Sequence, residues 1–338
     1  MRILVIRPGA LGDALLTLPA LQALKRAFSQ ATIAAMGRLA VWEWLPGRSV
    51  VDTVASFERP DLASLFVAEG QPSAELRAFL SGFDLILSYV GSQEHAFARN
   101  LARAASGRIV HGDARPRADQ AIHMSQQLQQ PLRALGVPAC EEPPRIAPTS
   151  ADRESAARWW EEHGQGEGPV LAMHPGSGSL AKNWPAQRFA AVAGQLRSAR
   201  LLLLSGPADQ LAVTAVQDAL GHEPHTLAFD LPLPLLAAML ERCDAYVGND
   251  SGVSHLAASL GLPSLVILGP TDPRVWAPRG LCVKVLAGEV DCAPCDRERR
   301  RMCRRRTCLE AVSVRKVSTQ LDRWLGRGGT GAETGTSP

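Results

Sequence analysis

The sequence lacks an apolar run close to the roughly 18 residues that a membrane-spanning helix needs. It also lacks a strong excess of charge, because 36 Lys and Arg against 33 Asp and Glu give a net charge of +3. A chain that binds anions over its whole surface is therefore excluded, and any attraction to anions must be local. The start "MRILVIRPGALGD" has the Met-Arg and short apolar segment of a secretion signal, but Gly9, Gly12 and Asp13 replace the small-residue cleavage site. We interpret it as a strand and its loop.

The cysteines do not form a disulfide framework. There are seven, an odd number, and four of them, Cys292, Cys295, Cys303 and Cys308, fall within seventeen residues. This pattern favours a reducing cytosol with a local thiol cluster. The C-x2-C-x7-C-x4-C spacing is compatible with a four-thiolate structural zinc site, although it is shorter than the usual zinc ribbon. A packed set of reduced cysteines is the alternative.

The same strand-loop-helix pattern occurs in both halves of the 338-residue chain, a length that suits two domains. In the first half, "RILVI" at 2–6 predicts a buried parallel strand, followed by a glycine loop and a helix with leucines on one face. Four further short strands are predicted at 31–37, 51–57, 83–91 and 107–113. The spacing between these strands allows crossover helices, which predicts a doubly wound α/β domain over 1–150.

The second half repeats the pattern after a proline-rich linker around 138–150. A helix is predicted at 151–164, followed by five apolar runs at 169–178, 199–207, 225–230, 243–252 and 263–272. Most of these runs end in Gly, Pro, Ser or Asp, and ligands of open parallel sheets bind outside the carboxyl ends of the strands. We therefore predict a second α/β domain over 151–325 with its ligand site at these loops. The Gly/Thr-rich tail 326–338 is predicted to be disordered.

One polar loop is "NDSG" at 249–252, where an apolar run meets a helical pattern. A helix that starts at about Ser251 points its unpaired amides outward, and Gly252 lets an anion approach the backbone. A phosphate group would bind at such a helix end. The alternative is that Asp250 or Ser251 is only an N-cap.

The loop "HPGSGSLAKNWP" at 174–185 is a second candidate anion site. Ser177 offers a hydroxyl, Gly178 a backbone amide and Lys182 a point charge for phosphate. The loop is not a Walker A motif, and a solvated lysine in a glycine-rich loop is the alternative. His174 is left open between a structural histidine and a site residue. Two anion-binding loops at neighbouring strand ends suggest a diphosphate ligand.

In the first half, Gly9 and Gly12 lack the third glycine of the dinucleotide fingerprint, which argues against a nicotinamide cofactor. Asp13 is the residue of this segment that most strongly suggests a chemical role. A carboxylate in the first turn of a helix is favourable by itself, so a helix-end charge is the simple explanation. Facing a cleft, the same carboxylate could take a proton from a substrate hydroxyl.

Together, "RILVIRPGALGDALLTLPALQALK", "HPGSGSLAKNWPAQRFAAVAGQL", "GNDSGVSHLAASLGLPSLVILGPTDPRVW" and "CAPC…C…CL" resemble glycosyltransferase family 9, the ADP-heptose:lipopolysaccharide heptosyltransferases. The resemblance covers roughly 1–320, with the motifs in the family's order. It implies a GT-B architecture, in which two Rossmann-like doubly wound domains face each other across a cleft. The acceptor would lie mainly on the first domain and the nucleotide-sugar mainly on the second.

The resemblance also implies roles for individual residues. Asp13 matches the catalytic base, and Gly12 matches the tight loop before it. Asp209 stands where a glutamate near the ribose is expected. The donor-binding set implied by the match is Ser177, Gly178, Lys182, Asp209, Asp250, Ser251, Gly252 and His255.

The resemblance implies an inverting transfer from ADP-heptose, or a related nucleotide-sugar, to a phosphorylated lipid-linked oligosaccharide of the lipopolysaccharide inner core. Asp13 would deprotonate the acceptor hydroxyl, while Lys182 and helix-end amides would stabilise the leaving diphosphate. No Asp-x-Asp pair occurs in the sequence, which argues against a carboxylate-held divalent metal at the diphosphate. We therefore expect that no cofactor is required.

The arginine run is a separate signal, with Arg299, Arg300 and Arg301 at its centre. Its members are Arg297, Arg299, Arg300, Arg301, Arg304, Arg305 and Arg306. Such a run is usually a solvated face, but here a phosphorylated acceptor or an anionic inner leaflet would attract it. We expect a cytoplasmic protein in peripheral contact with the cytoplasmic face of the inner membrane.

A different class of function is a nucleic-acid or anionic-lipid binding protein that uses the segment 292–308. This hypothesis explains the cysteines and arginines, but it assigns no function to the loops around Asp13, Lys182 and Asp250. Few aromatic residues interleave with the arginines, which argues against a base-stacking platform. We therefore expect no nucleic-acid partner.

Overall fold

The computed structural model describes residues 1–91, 95–116, 120–164 and 166–326. The chain divides into two compact units, Met1–Thr149 with Arg274–Trp276, and Ser150–Pro273 with Ala277–Pro338. We call them unit 1 and unit 2. Apart from Gly326, the tail predicted to be disordered lies outside the described residues.

Unit 1 contains a sheet of five parallel strands in the order β3-β2-β1-β4-β5. The strands are β1 (Arg2–Ile6), β2 (Thr32–Gly37), β3 (Thr53–Ser56), β4 (Leu85–Ser88) and β5 (Arg108–His111). The helices are α1 (Leu11–Ala27), α2 (Leu39–Trp42), α3 (Ala63–Phe66), α4 (Ala74–Ser81), α5 (Ala96–Ala104) and α6 (Met124–Gln127), with 3-10 turns at Pro60–Leu62 and Gln130–Leu135. From β1, the strands β2 and β3 are added on one side and the strands β4 and β5 on the other. The strand order therefore reverses between β1 and β4, which is a topological switch point.

Unit 2 contains six parallel strands in the order β11-β10-β9-β6-β7-β8. The strands are β6 (Val170–His174), β7 (Arg200–Ser205), β8 (Thr226–Phe229), β9 (Ala245–Asn249), β10 (Ser264–Leu268) and β11 (Val283–Ala287). The later helices are α7 (Ser150–His163), α8 (Ala186–Gln195), α9 (Gln210–Leu220), α10 (Leu233–Glu241), α11 (Gly252–Ser259), α12 (Pro273–Trp276), α13 (Arg297–Met302), α14 (Thr307–Glu310) and α15 (Val314–Leu325), with a 3-10 turn at Leu180–Lys182. The switch point of this sheet lies between β6 and β9.

The predicted α/β, doubly wound fold is therefore confirmed in both halves. Each predicted strand is present, with its ends shortened by loop residues. The sequence analysis missed β11, which pairs with β10 at the edge of the sheet. This strand is only partly buried and carries an exposed Lys284, so it lacks the continuous apolar run of a central strand.

The apolar residues lie between the sheets and their helices. In unit 1, Leu4 and Ile86 of the sheet belong to one buried cluster with Leu76, Phe97 and Leu101 of the helices. A second cluster in unit 2 joins β6, β7, β9 and β10 to α8, α9 and α15. Among the described residues, we find no helix with the length and apolar character needed to cross a bilayer.

Candidate active site

The two polar loops of unit 2 lie at neighbouring strand ends, as the sequence suggested. His174 ends β6 and Asn249 ends β9, and these strands pair directly. Because the strands are parallel, the loops that follow them leave from the same edge of the sheet, at its switch point. Ligands of doubly wound sheets bind at this position.

Lys182 and Asp250 form an ion pair across these two loops. The Lys182 ammonium lies 2.7 Å from Asp250 Oδ2, and their side chains are 22% and 9% exposed. The Thr271 hydroxyl, which follows β10, donates to the same carboxylate oxygen at 2.6 Å. Lys182 is therefore not a solvated loop lysine, because a carboxylate holds its charge at the carboxyl end of β9.

His174 connects the loops that follow β6, β7 and β9 at the carboxyl ends of these strands. Its Nδ1 lies 3.2 Å from Ser251 Oγ, and its Nε2 lies 3.1 Å from Asp209 Oδ2. Asp209 Oδ2 also accepts from the Gly206 amide at 3.1 Å. Burial alone would raise the pKa of Asp209, but the hydrogen bond and charge of His174 and the Gly206 amide outweigh it and hold this pKa below its usual value. His174 thus belongs to the polar network of the site.

Gly176 makes room for Asp209 in this network. A Cβ atom added to Gly176 would lie 2.0 Å from Asp209 Oδ1. Real Cβ atoms do not approach other atoms so closely, so any side chain at this position would displace Asp209 from His174. The sequence analysis did not single out this glycine.

Ser251 is the N-cap of α11, and its hydroxyl accepts from the Ser254 amide. Ser251 therefore caps the helix, although its hydroxyl also contacts His174. Capping does not account for Asp250, which pairs with Lys182. The amides at the very start of a helix have no intrahelical acceptor, and Gly252 supplies the first of them. His255 is buried within the same helix.

Ser177 and Gly178 differ in their surroundings. The Ser177 hydroxyl lies 2.7 Å from Ser179 O and 2.6 Å from Asn183 Oδ1. A hydroxyl has a single proton to donate, so this group shapes its own loop before any ligand arrives. Gly178 is exposed, with no atom within 4 Å of an added Cβ.

Asn249 is a site residue that sequence reasoning missed, although it belongs to the quoted "NDSG" loop. The side chain is fully buried. Its Oδ1 accepts from the Trp184 amide at 2.9 Å, and its Nδ2 donates to Pro175 O at 2.7 Å. Asn249 therefore ties both ends of the loop that carries Ser177 and Lys182 to the end of β9.

We expect Asn249→Ala to lower the free energy of unfolding by about 2 to 4 kcal/mol, because the Trp184 amide and the Pro175 carbonyl each lose a buried partner. Urea unfolding measures this loss. Asn183→Ala is the matched control, because Asn183 is only partly buried and its Oδ1 accepts from the Ser177 hydroxyl. Equal stability of the two variants would contradict the role of Asn249.

In unit 1, Asp13 lies at the switch point beside the end of β1. Its Oδ1 accepts from Arg7 Nη2 at 2.7 Å, and its Oδ2 accepts from the Ala10 amide at 3.0 Å. The side chain remains 29% exposed. Each carboxylate oxygen has two lone pairs, so both can accept a further hydrogen bond from a ligand.

Arg7 is the second residue that the sequence analysis missed. It is only 4% exposed, its guanidinium lies 6.0 Å from the centre of the Tyr89 ring, and its Nε has no hydrogen-bond partner among the described residues. Burial lowers the pKa of Arg7, and the Asp13 charge opposes this effect. The signal was present in the sequence as a charged residue directly after a buried strand.

The two glycines near Asp13 lie in different elements, and only Gly12 differs from the expectation. Gly9 lies in the loop, where an added Cβ would come within 2.6 Å of Asp13 Cβ, so it makes room for the carboxylate. Gly12 was expected in the tight loop before Asp13, but it is the second residue of α1. The expectation was wrong because the helix begins earlier, at Leu11.

The central arginines of the run lie on α13 and differ in exposure. Arg299 and Arg301 are exposed, whereas Arg300 is partly buried. None of the three forms an ion pair within the part of the chain that the structure describes. Arg299 and Arg301 are thus uncompensated surface charges.

Comparison with known proteins identifies the family. The family model for Glycosyltransferase family 9 (heptosyltransferase) matches residues 98–304, more than half of the chain. This chain belongs to glycosyltransferase family 9. The matched range includes the loops that carry Lys182 and Asp250.

Relatives of the family match to different extents. Lipopolysaccharide heptosyltransferase 1 of Pseudomonas aeruginosa is 25% identical over 96% of this chain and 98% of its own length. Lipooligosaccharide heptosyltransferase 2 of Haemophilus influenzae is 27% identical, but that match covers 37% of this chain and 39% of the relative. The solved structure of Escherichia coli ADP-heptose lps heptosyltransferase II has a TM-score of 0.75 at 20% identity, covering 98% of this chain and 100% of that one. The family's GT-B fold is thereby shown.

Proposed function

We propose that this glycosyltransferase transfers a heptose from ADP-heptose to a hydroxyl of a phosphorylated, lipid-linked oligosaccharide of the lipopolysaccharide inner core, with inversion at the anomeric carbon. The observation that carries the proposal is the position of the polar residues. Asp13 lies at the switch point of one sheet, and the Lys182–Asp250 pair lies at the switch point of the other. A donor site and a general base are the two parts that such a transfer needs.

The donor site is proposed for unit 2. Lys182 supplies a cation and the start of α11 supplies amides, and both favour a diphosphate. Asp250 holds the Lys182 ammonium and offers carboxylate oxygens to sugar hydroxyls. Asp209, which contacts His174, is the N-cap of α9 after β7 and is proposed to bind the ribose. These roles follow from the family resemblance together with the polar contacts described above.

Asp13 is the proposed general base. It would take the proton of the acceptor hydroxyl as that oxygen attacks the anomeric carbon, and the bond to the diphosphate would break on the opposite face. Arg7 positions the carboxylate through its 2.7 Å contact, and the other carboxylate oxygen accepts from the Ala10 amide at 3.0 Å. The carboxylate therefore needs little reorganisation before it acts.

We propose further that no divalent metal bridges the diphosphate. Lys182 and the amides of α11 would stabilise the negative charge that develops on the leaving group, which is the task a metal performs in other transferases. Turnover should therefore be unchanged when Mg²⁺ or Mn²⁺ is added to the purified enzyme. A strict requirement for either ion would contradict this part of the proposal.

The assignment is tested with the purified protein, a panel of ADP-, UDP- and GDP-activated sugars and a lipid A-Kdo acceptor, by following release of the nucleoside diphosphate. We expect ADP-heptose to be used at least tenfold better than the other donors. Preference for another nucleotide-sugar would support the alternative that the chain transfers a different sugar. No turnover with any donor would overturn the enzymatic assignment.

The exposed arginines are proposed to contact a phosphorylated acceptor or the anionic leaflet that presents it. Replacing Arg299 and Arg301 with Ser should lower activity on a vesicle-borne acceptor more than on a short soluble one, and the difference should shrink at high salt. Kinetics on both acceptors at two salt concentrations measure this. The control removes the same charge from exposed Arg315 and Lys316 of α15, and an equal effect of the control would contradict the contact.

A further inference from the structure

Four cysteines are among the residues that line one small cavity in unit 2. The cavity has a volume of about 20 Å³, and Cys292, Cys295, Cys303 and Cys308 all contribute to its wall. A cavity of this size holds a single water-sized particle. None of the four thiols forms a disulfide, so all are available as ligands.

The four residues approach the cavity from separate stretches of backbone. Cys295 is anchored by its amide, which donates to Pro270 O at 2.8 Å. Cys308 is buried in α14. Cys292 Sγ lies 3.8 Å from the Thr307 hydroxyl, next to Cys308 in the chain. Thiols far apart in this segment are thus brought together by its fold.

The wall of the cavity also contains basic residues. Arg300 and Arg306 line the same cavity. A divalent cation with four thiolates carries a net charge of −2, and two guanidinium groups in the wall would offset it.

We propose that Cys292, Cys295, Cys303 and Cys308 bind one structural Zn²⁺ as four thiolates. Zn²⁺ prefers tetrahedral thiolate sites of this composition. Among the described residues no group of three His, Cys, Asp or Glu side chains stands in a metal-binding arrangement, so the proposed site would form only as the sulfur atoms move together around the ion. Each bound thiol releases its proton to solvent.

The proposed site would connect the arginine segment to the donor loop. Ala181, beside Lys182, and Pro270, beside Thr271, form part of the cavity wall. Arg306, between Cys303 and Cys308, has φ of 48°, a conformation that residues with a side chain rarely adopt. Zinc would hold this backbone in place behind the donor site without touching the substrate.

The full chain, produced in zinc-supplemented minimal medium without a histidine tag, tests the site through its metal content. We expect about one zinc per chain by mass spectrometry, and loss of zinc to background in Cys295→Ser and Cys303→Ser. Cys140→Ser is the control that retains zinc, because the Cys140 thiol contacts Gln22 Oε1 and Glu142 O in unit 1 and a hydroxyl can replace it. Zinc-free wild type, or zinc retained by both cluster variants, would overturn the proposal.

A second measurement remains informative if the cluster variants do not fold. Wild-type protein stripped of metal and given Co²⁺ should develop the visible absorption of a tetrahedral cobalt thiolate, and stepwise blocking of thiols with a mercurial should release zinc in proportion. Absence of the cobalt spectrum would contradict the four-thiolate site. Iron found in place of zinc in the supplemented preparation would contradict the choice of metal.

Discussion

Asp13→Asn is expected to lower turnover by about 10²- to 10⁴-fold, the usual effect of removing a positioned general base. Asparagine keeps the shape of the side chain and can still accept from Arg7, but it cannot take a proton from an acceptor hydroxyl. The affinity for the donor should be unchanged, because the proposed donor residues lie in unit 2. Turnover and donor affinity are measured on one preparation, and near-wild-type turnover would refute the catalytic role.

The structure changes the competing explanation for Asp13. A helix-end charge alone would contribute about 0.3 to 1 kcal/mol to stability. Asp13 is also the ion-pair partner of the buried Arg7, and a buried charge that loses its counter-charge costs about 1 to 3 kcal/mol or more. A fall in melting temperature is therefore expected in Asp13→Asn whether or not the residue is catalytic, and stability alone cannot separate the two roles.

The double variant Arg7→Met with Asp13→Asn separates them. If Asp13 serves only to neutralise Arg7, removing both charges should restore stability and turnover together. If Asp13 is the base, stability should recover while turnover stays as low as in the single variant. Asp52→Asn controls for the loss of an ion pair in unit 1. Asp52 Oδ2 lies 3.2 Å from the Lys25 ammonium, and this pair is not at the switch point.

The strands of both sheets were predictable from the sequence where burial on both faces gives a strand a continuous apolar run. β1, β7 and β10 are of this kind, and their polar loop residues marked the strand ends. β11 was missed because this edge strand is only partly buried and therefore tolerates a charged residue, the exposed Lys284. The order of the strands could not be predicted from these runs, because pairing depends on crossovers that local pattern does not encode.

The candidate site was predictable at the level of loops but not of contacts. Polar residues after β6 and β9 predicted an anion site, since such loops leave a sheet at one edge. The pairing of Lys182 with Asp250, and of His174 with Asp209, joins residues far apart in sequence and required the observed order β9-β6-β7. Arg7 was missed because a single charged residue after a strand does not show whether it turns outward or is buried.

Lys182→Ala is expected to reduce kcat/KM for the donor by about 10²- to 10³-fold, the effect of removing one preorganised group that stabilises developing negative charge. The loss has two sources in the structure. The diphosphate loses a cation, and Asp250, only 9% exposed, keeps a carboxylate that still accepts from the Thr271 hydroxyl. That carboxylate would then repel the approaching phosphates.

Asp250→Ala and the double variant distinguish these sources. Asp250→Ala should also weaken donor use, because Lys182 loses the contact that fixes it at 2.7 Å. If Lys182 acts only as the partner of Asp250, the double variant should be no more impaired than Asp250→Ala. If the Lys182 charge binds the diphosphate, the double variant should be more impaired than Asp250→Ala. Lys25→Ala, which breaks the comparable 3.2 Å pair with Asp52 in unit 1, should leave donor use unchanged. Donor affinity and turnover at wild-type level in both Lys182→Ala and Asp250→Ala would refute the donor site.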